Sequence, residues 1–389
     1  MQPTRTIKPW NDPKIRALVF QAAVIAAVLW LAVTLFRNTL LNMEHRNIQT
    51  GFGFLGQTAG FGILFSLIPY DESYSYGRTF FVGLLNTVLV SGLGIVTATL
   101  LGFLAGISRL SRNWLVARLA EVYVEIFRNV PLLLQIFFWY FAVLQTLPAP
   151  RRSLNFHDLV FLSKRGLYVP APVFGPGMEW VGLALLAALI AVWRLSRWET
   201  RRREATGQIF PFWRVAAALA IGAPGLVFLL AGAPMTWSVP ALRGFNFAGG
   251  GVLLPELVAL WFALTVYTGT FIAEIVRSGI QAVSHGQTEA AAALGLKRGQ
   301  IIRLVVLPQA LRVIIPPLTS QYLNLAKNSS LATAIGYPDL VNVFMGTTLN
   351  QTGQAVEVVA MTMSVYLTIS LVISLAMNGY NKRVALKER

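Results

Sequence analysis

Side chains able to do chemistry are few in this chain, and they gather in three places. Its 389 residues include no cysteine, and its three histidines, His45, His157 and His285, lie too far apart for metal-ligand spacing. No phosphate-cradling GxxxxGKS/T occurs, and no HExxH or GxSxG stands in a suitable context. Neither a catalytic nor a metal-binding set is expected. The polar groups that remain interrupt apolar runs. Glu125, Arg128, Asn129, Pro131 and Gln135 fall within EVYVEIFRNVPLLLQ, and Asn324, Lys327, Asn328 and Ser329 fall within LNLAKNSSL. Residues 286–317, GQTEAAAALGLKRGQIIRLVVLPQALRVIIPP, separate two further apolar runs. Ionisable groups inside an apolar segment mark a solute pathway or a structural ion pair. Broken backbone at that depth is tolerated only where it lines a cavity.

The elements that hold these groups follow from periodicity. Gln287 to Leu294 is a run of good helix formers, and Gly295 suits the left-handed residue that ends a helix. Ile301, Leu304, Val305, Ala310 and Leu311 then recur at helical spacing, on a segment expected to break at Pro308. The product is a small-sided helical hairpin, either an amphipathic connector or an element shaped for another protein's groove. Pro131 is expected to break its own helix, and Pro316–Pro317 to break another beside the polar cluster at residues 324–330. Glu125 and Arg128, three apart, are expected to pair on one helix face.

Composition sets the environment. Apolar residues make up 55% of the chain and charged ones only 12%, about half the usual charged share of a soluble globular protein. Several segments lack charge over the roughly 20 residues that a helix needs to cross a bilayer. Spans are expected at about 17–36, 79–108, 119–147, 180–193, 215–230, 253–283, 313–337 and 358–378, an all-α polytopic membrane protein of about eight transmembrane helices. The run at 17–36 is too long for a signal peptide and lacks a clear cleavage site.

The net charge of +16 does not indicate nucleic acid, because the basic residues sit in short loops between spans. Arg109, Arg112, Arg194, Arg197, Arg201, Arg202, Arg203, Lys297, Arg298 and Lys382 fall on one side; Arg46, Arg151, Arg152, Lys164, Arg165 and Arg243 fall on the other. The bias puts both termini in the cytoplasm. The dense run at residues 194–204 reads as a topological anchor, with a lipid-headgroup patch as its alternative. Residues 148–179 and 231–251 read as outer loops.

Glu289-Ala290-Ala291, Gly295 and Leu307-Pro308 fit EAA–x3–G–x9–I–x–LP, with Val305 at the isoleucine position. This resembles the EAA loop of bacterial ABC importer permeases. GLLNTVLVS, YVEIFRNVPLLLQ, AEIVRSGIQAV, LPQALRVIIPPL and LAKNSSL resemble their polar and general L-amino-acid branch in the same order. The similarity frames residues 81–380.

The resemblance implies a type I importer fold: a five-helix core, with an N-terminal helix and an inserted helical hairpin added here. It divides the chain into residues 1–78 (a cytoplasmic tail, first helix and periplasmic segment), a transmembrane domain at 79–380 with an inserted segment at 148–251, a cytoplasmic coupling loop at 285–310, and a cytoplasmic tail at 381–389. It implies that Glu289, Ala290, Ala291, Leu294, Gly295, Arg303, Leu307 and Pro308 meet a separate ATPase dimer, with Glu289 and Arg303 bracing the hairpin. Asn129, Pro131 and Gln135 would line the pathway, facing Asn324, Lys327, Asn328 and Ser329. The alternative role for the polar groups at 324–329 is hydrogen bonding between helices. ATP and Mg would belong to the ATPase, with no cofactor bound by this chain. A second, different permease subunit and a periplasmic amino-acid-binding protein complete the expected assembly in the bacterial inner membrane. The rival readings are an ion-coupled secondary amino-acid carrier and a membrane-embedded enzyme.

Overall fold

The computed structural model describes residues 13–45, 50–208 and 210–384. The expected basic tails therefore fall largely outside the described residues: 1–12 at one end, 385–389 at the other. Among the described residues, seven helices are long and apolar enough to cross a bilayer, and a bent pair makes an eighth crossing when taken as one span. The fold is thus mostly helical and polytopic, as composition requires. Contacts divide it into two compact units, residues 1–96 with 274–389 and residues 97–273. Helices α2 (Tyr76–Ser108) and α8 (Pro255–Gln281) contribute residues to both.

The first unit begins with α1 (Pro13–His45), whose large side chains face outward: Phe20 is 71% and Trp30 70% exposed. A helix apolar all round and unburied suits lipid as its solvent. The core of this unit packs Phe54 and Tyr76 against Leu340, Phe344 and Val358. Its C-terminal part runs through α9 (His285–Ala293), α10 (Arg298–Ile301), a π-helical turn (Ile302–Val306) and α11 (Leu307–Asn328). A 3-10 turn (Ser329–Ile335), a π-helical stretch (Val341–Thr348), α12 (Leu349–Thr352) and α13 (Ala355–Val384) follow. On α11, Ala310, Ile314, Ile315, Leu318, Leu325 and Ala326 are buried, a helical repeat that gives it one packed face.

The second unit contains α3 (Trp114–Asn129) and α4 (Leu132–Phe137), the latter continued by a π-helical stretch, Phe138–Leu144. Asn113 caps α3, its side-chain oxygen accepting from the N–H groups of Leu115 and Val116. Tyr123 and Val124 pack against Ala105 and Ala273. The inserted hairpin is α5 (Met178–Thr206) returning through α6 (Phe212–Ala217), a π-helical turn (Ala218–Gly222) and α7 (Ala223–Leu230).

The two segments expected as loops form strands instead. β1 (Leu154–Phe156), β2 (Val160–Ser163), β3 (Gly166–Val169) and β8 (Gly251–Leu253) make one antiparallel sheet in that order. β4 (Ala171–Phe174) pairs with β5 (Met235–Ser238), and β6 (Ala241–Arg243) with β7 (Asn246–Ala248). Strand pairs Tyr168↔Val252 and Val173↔Thr236 tie together the chain on either side of the inserted hairpin. Stacking of Phe247 on Tyr168, with ring centroids 4.7 Å apart, gives these short strands an apolar centre.

Two expected proline breaks are absent. Helical backbone runs without interruption from Arg298 to Ile335, through Pro308, Pro316 and Pro317. Pro308 follows the π-helical turn and occupies the first turn of α11, where its missing N–H and its ring are tolerated. Pro316 and Pro317 lie inside α11, and the backbone stays helical through both. The break at Pro131 does form: the segments on either side of it meet at 105°.

Candidate functional site: a coupling hairpin and two polar breaks

The hairpin is built as its residue types require. Gly295 has φ of +76°, and Leu296 N–H donates to the Ala291 carbonyl at 3.2 Å across it. That is the Schellman closure, which ends α9 and turns the chain sharply. The second limb begins where the Gln300 side chain accepts the Lys297 N–H at 2.9 Å. Ala291 is buried, holding the turn, while Ala290, Ala292 and Ala293 are exposed on a helix with little side-chain bulk. Leu294 projects at the tip, 82% exposed. An exposed leucine above a row of alanines is a surface made for close approach.

Glu289 has a different partner from the one expected. Its carboxylate lies 2.9 Å from Nδ1 of His285, one turn earlier on α9, and Arg303 makes no ion pair with it. The i, i+4 spacing favours that contact, and both side chains are mostly exposed. Glu289 is therefore available at the outer face of the hairpin, with Arg303, Leu304 and Leu307 exposed along the second limb. At the base, Glu274 and Arg277 pair on α8, and Arg277 also donates to Gln281 at 2.9 Å.

The first polar break belongs to the second unit. Gln135 is buried; its Nε2 donates to the Phe127 carbonyl at 2.8 Å and to the Val130 carbonyl at 3.0 Å. It thus supplies donors that the chain loses at Pro131. Asn129 Nδ2 donates to the Glu125 carbonyl at 2.8 Å. The expected Glu125–Arg128 pair does not form: the Arg128 guanidinium lies over the Phe271 ring, 5.4 Å from its centroid. An aromatic face competes well with an exposed carboxylate for a guanidinium.

The second break belongs to the first unit, and it lies later than expected. The backbone changes at Ser329, where α11 gives way to the 3-10 turn that ends at left-handed Gly336. Asn324 and Lys327 are exposed on the last turns of α11, and Asn328 is half-buried. Ser329 is fully buried and donates to the Ala326 carbonyl at 2.8 Å. The two sets of residues expected to face each other thus lie in separate compact units.

Residues 98–386 match the family described as "Binding-protein-dependent transport system inner membrane component". The chain belongs to this family. YhdX of Escherichia coli is 57% identical over 97% of this chain and 96% of its own. The general L-amino acid transport system permease protein AapQ of Rhizobium johnstonii is 52% identical over 97% of this chain and 94% of its own. The glutamate/glutamine/aspartate/asparagine transport system permease protein BztB of Rhodobacter capsulatus is 44% identical, with 97% and 96% covered. As a transport component of this family the chain is a non-catalytic membrane subunit. Among the described residues no group of three or more His, Asp or Glu is placed to hold a metal ion.

Sequence reasoning missed one buried polar knot in this inner membrane component. Asn86 Nδ2 donates to the carbonyls of Phe65 and Pro338, each at 2.9 Å, and its Oδ1 is buried without a partner. Thr87 Oγ1 accepts the Leu340 N–H at 3.0 Å, and Tyr337 donates to the Asn86 carbonyl at 3.2 Å. Asp339, fully buried, accepts the Asn342 N–H at 2.8 Å, with the Tyr366 hydroxyl 3.4 Å away. Burial pushes the Asp339 carboxyl up to about 7, against the opposing pull of those donors. The Asn-Thr pair inside an apolar helix and the Tyr-Pro-Asp step after a glycine were the signals available for it.

Proposed function

We propose that this chain is the permease subunit of an ATP-driven, binding-protein-dependent importer of L-amino acids. The observation that carries this reading is the hairpin. A helix of small side chains ends at a left-handed glycine, exposes Glu289 and Leu294, and continues as one helical rod of 38 residues, Arg298–Ile335, to the polar turn at Ser329. At about 1.5 Å per residue such a rod is about 57 Å long. Force applied to the hairpin would travel along a stiff element rather than a tether, as a two-position switch requires.

In this reading Glu289, Ala290, Ala291, Leu294, Gly295, Arg303, Leu307 and Pro308 meet a partner ATPase, which holds ATP and Mg. Asn324, Lys327, Asn328 and Ser329, with Asn129, Pro131 and Gln135, border the solute pathway. Lys327, an exposed cation, suits the carboxylate shared by all amino acids. A second permease subunit and an extracytoplasmic binding protein complete the assembly, with both termini of this chain cytoplasmic. The names carried by AapQ and BztB support amino acids as the solute class. An ion-coupled carrier would have no use for the hairpin, and nothing in the chain favours that alternative. The test is uptake of labelled amino acids into proteoliposomes holding the permease, its ATPase and its binding protein. Uptake dependent on ATP and on the binding protein supports the proposal; uptake by the permease without an ATPase ends it.

A further inference from the structure

The turn of the inserted hairpin forms a solvent-open cleft of about 700 Å³, to which none of the coupling or pathway residues contributes. Arg203 and Glu199 on α5 form one wall; Phe210, Phe212, Trp213 and Arg214 on the returning limb form the other. Two guanidinium groups thus face one space from two separate elements. Glu199 lies 3.8 Å from Arg203, a separation that orients the arginine without neutralising the cleft. With Arg203, Arg214 and Glu199 counted together, one positive charge remains.

The depth of this cleft follows from helix length. α5 has 29 residues, about 43 Å at 1.5 Å each, against a hydrocarbon core of roughly 30 Å. Residues 180–193 carry no charge, so the overhang is chiefly the arginine-rich end. Aromatic side chains accompany the arginines along this end of the hairpin. Arg197 stacks on Trp193 at 3.9 Å, Arg202 lies 5.2 Å over Trp198, Trp198 meets Phe210 edge-on at 5.4 Å, and Trp213 is 82% exposed. Tryptophans and stacked arginines at a helix end mark the headgroup layer. A topological anchor needs only positive charge. It requires neither a cleft nor arginines converging from both limbs.

We propose that this cleft binds the headgroup phosphate of an anionic phospholipid. Arg203 and Arg214 would grip the phosphate oxygens through paired N–H donors, a match that guanidinium makes better than ammonium. Phe210, Phe212 and Trp213 would cover the glycerol and first acyl carbons. The lipid would brace the turn between α5 and α6, whatever solute the transporter carries.

The test uses the complete transporter, delipidated in mild detergent, exposed to phosphatidylglycerol or phosphatidylcholine, and read by native mass spectrometry. The wild type is expected to retain phosphatidylglycerol in preference to phosphatidylcholine. The double variant Arg203→Gln/Arg214→Gln is expected to lose that retention about tenfold. Arg203→Lys/Arg214→Lys keeps the topological charge and is expected to fall between the two, and it carries the test where the glutamine variant does not assemble. Equal retention of the two lipids by the wild type overturns the proposal. So does retention unchanged in either assembled variant. Displacement of the lipid by inorganic phosphate at modest excess would make the cleft a free-phosphate site and overturn the lipid assignment.

Discussion

Gly279 on α8 and Ile314 on α11 approach so closely that a Cβ on the glycine would stand 2.3 Å from Ile314 Cγ1 and 3.4 Å from the Ala310 carbonyl oxygen. Ile314 is itself buried. The rod that begins at the hairpin is therefore clamped to α8 at a contact with no spare volume.

The first prediction concerns that clamp. Gly279→Val should lower the thermal midpoint of the purified complex, since overpacking costs about 1–3 kcal/mol. It should also reduce ATP-coupled uptake by displacing α11. A midpoint and an uptake rate both equal to the wild type would show that the rod is not held there.

Gln135 offers a separation of structure from pathway. Gln135→Leu keeps the side-chain volume but removes the donors to Phe127 and Val130 at the bend. Leaving two partly buried carbonyls short of a partner should destabilise the complex by about 1 kcal/mol. Where Gln135 serves only the bend, uptake falls through a lower maximal rate at unchanged KM. A raised KM with unchanged stability would instead place this side chain against the solute.

Asp339 gives a pH prediction whose sign is fixed by the direction of its shift. The carboxyl is raised from an ordinary value near 4 to about 7, chiefly by burial. The protonated form suits the folded state, so the stability it contributes is present below about pH 4 and fades as the pH rises toward 7. Thermal midpoints of the wild type should decline over that interval, and Asp339→Asn should flatten the decline. The same slope in the variant would assign the pH dependence to other groups.

How much of this was legible in sequence depended on the range of the interactions involved. Apolar run lengths gave the spans, and the bend at Pro131 followed from a lost donor, because both are local properties of the chain. The hairpin at residues 285–310 was equally readable, since helix formers, Gly295 and the second apolar repeat lie within one short stretch. Proline was a poorer guide elsewhere. Pro308 follows a π-helical turn, and Pro316 and Pro317 sit inside a helix whose packed face continues past them at Leu318, Leu325 and Ala326. The strands could not be read at all. β3 and β8 are three or four residues each and meet across the whole inserted hairpin, so no local alternation announced them. The same holds for Asp339, whose environment depends on α2 and α13, far away in sequence. Glu125 and Glu289 show the limit of spacing rules. Each had a suitable partner nearby, but Arg128 lies over Phe271 and Glu289 pairs with His285.

The central claim is that the hairpin transmits ATPase movement to the polar turn at Ser329. The most direct measurement is amino-acid uptake into proteoliposomes containing the full transporter, comparing wild type with Glu289→Arg and Gly295→Pro. Arginine reverses the charge at an exposed docking face, and proline cannot adopt the φ of +76° that closes the turn. The account predicts loss of ATP-coupled uptake in both variants while the permease remains inserted in the membrane. Wild-type uptake in both would contradict it.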